Sequence, residues 1–110
     1  MKTVTDKYEL LTLALRKAVM HAEQYADTED GGTCNFDSPA LAYQGYKKAL
    51  VIKAIEAAGL RCFDWGYDTK RLVICGGCHG QGNRRTLMAE AMTESLTASG
   101  YDCITYYQMD

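Results

Sequence analysis

Proline occurs once in the 110-residue chain, at Pro39. With 47% hydrophobic residues, that rules out the proline-rich, core-poor composition of a disordered tract. No apolar run approaches the roughly 20 residues of a membrane-spanning helix. Lys2, Asp6, Lys7 and Glu9 interrupt the region where a signal peptide requires an unbroken apolar stretch, so a cytoplasmic location away from membranes is expected. A basic excess is also missing: 12 lysines and arginines face 14 acidic residues, and the net charge of -2 disfavours duplex nucleic acid as a partner. Cysteine is present five times, but the odd count without an export signal argues for reduced thiols over a disulfide framework. The length allows one domain, residues 1–110.

What the chain does have is a glycine-rich turn between an apolar strand and a helix, RLVICGGCHGQGNRRT over residues 71–86. A strand that ends among glycines and restarts as a helix aims several backbone N–H groups at one spot, which suits an anion. Arg84 and Arg85 fall in the first helical turn, where a cation meets the positive end of the helix dipole at a cost of a few tenths of a kcal/mol. A bound anion would reverse that cost. The competing reading turns both arginines back onto Asp37, Glu29 or Asp30 and leaves the glycines a purely conformational role. A phosphate loop of the ATPase type is excluded because Asn83 and Arg84 stand where Lys and Ser or Thr are required. The dinucleotide fingerprint lacks its third glycine.

The elements follow from periodicity and punctuation. Asp6 and Glu9 begin a helix over residues 6–27, with Tyr8, Leu11, Leu15, Ala18, Ala22 and Tyr25 on one face. Leu10, Leu13, Ala14 and Met20 widen the stripe enough to suggest a partner chain. Residues 33–36 read as a strand, and Asp37, Ser38 and Pro39 as the start of a helix reaching Ala58, with Gly45 weakening its middle. Residues 60–65 and 70–75 form a hairpin, 83–99 a helix and 101–107 a last strand. Residues 58–65 and 99–106 repeat one pattern, helix end, Gly, strand, and suggest two similar units. The expected fold is α+β: an N-terminal helix, then a ferredoxin-like βαββαβ unit over 33–107, an antiparallel sheet with helices on one face. Its first and third strands are expected to be central neighbours running parallel, so that residues 34–38 and 76–85 face one another.

Chemistry is weakly signalled. Cys75-Gly-Gly-Cys-His79 matches the bare c-type haem pattern by chance, since that attachment happens outside the cytoplasm. Cys75 at a strand end lacks the helix N-terminus of a redox dithiol. Cys34, Cys75, Cys78 and His79 could be imagined around zinc, but one CxxC pair is too little, and no metal or cofactor is expected. Cys34 or Cys78 with His79 and Asp37 would supply a nucleophile, base and orienter for a small hydrolase or transferase. His21 reads as a surface or packing residue. Eight tyrosines and Trp65 offer flat faces on which a base could stack, with Trp65, Tyr67, Tyr106 and Tyr107 at strand ends or in the hairpin.

DGGTCNFD over 30–37, GQGNRRT over 80–86 and the ending YYQMD over 106–110 resemble a group of small bacterial and phage proteins to which no activity is attached. That resemblance carries no site with it. The residues themselves point first to a non-enzymatic, homo-oligomeric binder of a small phosphate-bearing ligand, a nucleotide or cyclic nucleotide. Backbone amides of Gly80, Gln81 and Gly82, with Arg84 and Arg85, would hold phosphate. Asn35 and Asp37 would meet base or sugar, with Ser38, His79 and Asn83 lining the site, and no residue is given a catalytic role. The second reading is a protein-interaction module, such as a phage-type inhibitor of a host defence enzyme, working through the first helix and the acidic 27–30 loop.

Overall fold

The structure, a computed structural model, describes residues 6–27, 37–66, 69–78 and 82–107. Helix α1 spans Lys7–Ala22, and a 3₁₀ turn over Glu23–Tyr25 continues it. The βαββαβ unit follows as β1 (Ser38–Ala42), α2 (Lys48–Ala57), β2 (Arg61–Asp64), β3 (Arg71–Cys75), α3 (Gly82–Ala98) and β4 (Cys103–Tyr106). Strand order is β2-β3-β1-β4, with every neighbouring pair antiparallel. This is the ferredoxin-like arrangement, preceded by one extra helix. The three helices share one side of the sheet.

Asp6 starts α1 as expected: its carboxylate accepts from the Tyr8 N–H at 2.6 Å. Leu11, Ala14, Leu15, Ala18 and Ala22 then face inward at helical spacing. They meet Val51 and Ile55 of α2, Met88, Met92 and Leu96 of α3, and Leu41, Leu72 and Ile74 of the sheet in one core. Polar ties fix α1 to α2: Thr12 Oγ1 donates to the Ala54 carbonyl at 3.1 Å, and the Tyr8 hydroxyl accepts from the Lys47 N–H at 2.9 Å, capping α2 in place of a side chain of its own.

The sequence repeat is two copies of one helix-ending device. Leu60 N–H bonds the Ile55 carbonyl at 3.1 Å after Gly59, and Tyr101 N–H bonds the Leu96 carbonyl at 3.0 Å after Gly100. Both glycines are left-handed, with φ of 83° and 97°. Each is a Schellman stop that turns a helix directly into an edge strand, β2 or β4.

Two expectations are corrected. Residues 38–42 are a strand, not the first turns of a helix running to Ala58, and α2 begins only at Lys48. Pro39 fits because the ladder to β3 starts one residue later, at Ala40, so its missing N–H breaks no β1–β3 pair. Ala40 and Leu41 are fully buried between two partner strands, and this burial outweighs the local helix-start signal. A turn closed by Tyr46 N–H on the Tyr43 carbonyl at 2.9 Å then separates β1 from α2. Second, β1 and β3 are central neighbours but run antiparallel. The strand expected over 33–36 lies outside the described residues.

The sheet face away from the helices carries a row in which Phe63 pairs with Val73, Val73 with Ala40, and Ala40 with Ile104. Trp65 and Tyr106 stand on this face at opposite edge strands, yet their ring centroids are 5.1 Å apart at an interplanar angle of 69°. Rings rooted on opposite edges can meet only by lying across the face. Val73 and Ala40 are buried there, outside the helix-side core.

Candidate functional site

Because β1 and β3 are antiparallel, β1 begins where β3 ends. Asp37 and Ser38 therefore come beside Cys78 and the first turn of α3, the same neighbourhood that was expected from parallel strands. Arg85 joins the three segments. Its Nε donates to the Asp37 carbonyl at 2.6 Å, Nη1 to the Cys78 carbonyl at 3.2 Å and Nη2 to Ser38 Oγ at 3.0 Å. A planar guanidinium with fixed donors can serve three acceptors in this way, and a lysine ammonium has no such fork. Asp37 is 1% exposed, and its Oδ2 lies 2.7 Å from Thr86 Oγ1. That hydroxyl is also 3.1 Å from the Gly82 carbonyl. With one proton it donates to one acceptor at a time, and the carboxylate is the nearer and stronger.

Arg85 thus turns inward, as the competing reading required, but it engages the backbone of Asp37 where a carboxylate pair was considered. Three charge-assisted bonds exceed the few tenths of a kcal/mol that a cation loses at a helix N-terminus. Gly82 is the buried first residue of α3, Asn83 is exposed and Arg84 is half-buried. Asn35, His79, Gly80 and Gln81 lie outside the described residues, as do Cys34, Glu29 and Asp30.

The described loop thiols are poor nucleophiles. Burial pushes the Cys78 thiol up to about 11 despite Arg85 nearby, and its Sγ lies 3.7 Å from Met92 Sδ. Burial also raises Cys75, against the opposing pull of Arg85 and Arg61. A thiol near 11 is about one part in ten thousand thiolate at neutral pH. Gly77 has a packing reason of its own, because a Cβ there would lie 2.6 Å from Met92 Sδ and 3.3 Å from Val19 Cγ2. Among the described residues no group of three or more His, Cys, Asp or Glu side chains could hold a metal ion. No described helix is long and apolar enough to cross a membrane.

Thr86 and the Cys78 carbonyl belong to this cluster and were not among the expected site residues. Thr86 sits four residues after Gly82, just past the first turn of α3, a position where a hydroxyl can bond backwards or sideways. Its sideways partner becomes visible only once β1 is known to start at Ser38. Comparison of the chain with protein-family models, with curated proteins and with solved structures yields no match.

Proposed function

We propose that this chain binds a small phosphate-bearing ligand, a nucleotide or cyclic nucleotide, without turning it over, at the start of α3. The observation that supports the reading is the N-terminus of α3, which follows a glycine-rich loop and has half-buried Arg84 in its first turn, with the Arg85 guanidinium held beside it by protein acceptors. A cation already held in place loses no side-chain freedom when an anion arrives. In this reading the backbone amides of Gly80, Gln81 and Gly82, together with Arg84, contact phosphate. Arg85 sets the loop against β1 and adds its charge. The buried, raised thiol of Cys78 counts against that residue as the nucleophile of the hydrolase or transferase alternative.

The test is a thermal-shift panel of nucleotides, cyclic nucleotides, inorganic phosphate and pyrophosphate. A ligand at one hundred times its Kd adds about 2.7 kcal/mol, which for a domain of this size raises Tm by roughly 10 °C. No shift with any member at millimolar concentration overturns the reading. A second reading, a protein-interaction surface on α1, is favoured by Leu10, Leu13 and Met20, which are 48%, 56% and 73% exposed on its outer side.

A further inference from the structure

We infer that the sheet face opposite the helices takes the base of that nucleotide, stacked on the crossed rings of Trp65 and Tyr106. The inference rests on the phosphate-ligand reading and names where the other end of the ligand goes. The face presents Phe63 at 48% and Ile104 at 40% exposure beside two half-buried aromatic rings. Flat apolar groups in that density suit a nucleobase, which offers a π-face whatever its identity.

Charge points the same way. The face carries Arg61, while Arg71 and Asp102 cancel in an ion pair of 2.8 Å, with Arg71 Nη1 also donating to the Ala40 carbonyl. Arg61 is exposed at the end of the sheet where β3 finishes, opposite Cys75. Continuity supplies the third argument. Tyr106 pairs with Ser38, the residue whose hydroxyl Arg85 grips at 3.0 Å. Directly paired residues have Cβ atoms about 5 Å apart. Tyr106, one ring of the aromatic cover, therefore borders the basic end of α3 at this end of the sheet. A small aromatic area and a net acidic chain fit a mononucleotide and not a long strand.

Trp65 is the only tryptophan, so its emission reports on this face alone. The experiment titrates the four common ribonucleoside monophosphates, ribose 5-phosphate and an eight-nucleotide oligomer, reading Trp65 fluorescence and Tm together. The expected result is quenching by at least one monophosphate and none by ribose 5-phosphate. Tyr106→Leu should weaken the monophosphate roughly tenfold while changing ribose 5-phosphate less than twofold, and Tyr106→Phe should retain binding. Equal stabilisation by nucleotide and ribose 5-phosphate with no change in emission overturns the stacking site and leaves the phosphate reading standing. If neither binds, the phosphate reading fails and this inference fails with it. Quenching by the oligomer alone also overturns it, because the face would then take a strand. Should Tyr106→Leu not fold, the emission of the unmodified protein still decides.

Discussion

Arg85 holds β1, the loop after β3 and α3 together through one side chain, and its removal would leave the Asp37 and Cys78 carbonyls and the Ser38 hydroxyl without that donor. Arg85→Ala is expected to lower stability by about 2–4 kcal/mol and Tm by roughly 10 °C or more. Arg85→Lys should recover less than half, since one ammonium cannot reach three divergent acceptors. Thermal melts of the unliganded variants check both, and a loss below about 0.5 kcal/mol for Arg85→Ala would show that the clamp is not formed in solution. The residue types of this site were legible, because arginines after a glycine run announce themselves. Their direction was not. Helix propensity around Ser38 and Pro39 hid the strand start that presents Asp37 O and Ser38 Oγ to Arg85.

At the scale of elements, strongly punctuated units were readable and cooperative ones were not. Gly59 and Gly100 mark helix ends by a local rule, and both are left-handed stops leading into edge strands. Residues 38–42 become a strand only because β3 and β4 pair with them on either side, information that no local window contains. The two stops allow a clean prediction. A Cβ at Gly59 or Gly100 meets nothing within 4 Å, so the cost of alanine there is conformational and not steric. Gly59→Ala and Gly100→Ala should each lose about 1 kcal/mol, and the double variant about twice that, since the sites share no partner. Denaturant midpoints at unchanged m-value check this. Gly77→Ala should behave differently, because fully buried Met92 must move to admit the methyl group.

For the whole molecule, the order of elements was enough to give the topology, because a βαββαβ chain has few ways to cover one face of a sheet. The sense of the central pair was misjudged, yet the loop and the β1 start still meet, since an antiparallel neighbour brings one strand's beginning to the other's end. The extra helix poses the remaining question. Leu11, Leu15 and Ala18 of α1 are spent on the core, while Leu10, Leu13 and Met20 emerge at i, i+3 and i+10 on the opposite side, with the stem of Lys17 between them. A shallow groove between Leu10, Leu13, Ala14, Lys17, Ser99 and Tyr101 borders this stripe. Three large apolar side chains left in water on one helix favour burial against a second copy, at about 25 cal/mol per Å² of apolar surface removed. Light scattering at tens of micromolar should therefore give at least twice the 12.2 kDa chain mass. The double variant Leu10→Glu, Leu13→Glu should fall to the monomer mass while keeping its cooperative melt, because both positions lie outside the core. A monomer mass for the unmodified protein at that concentration would remove the second copy as the occupant of this face.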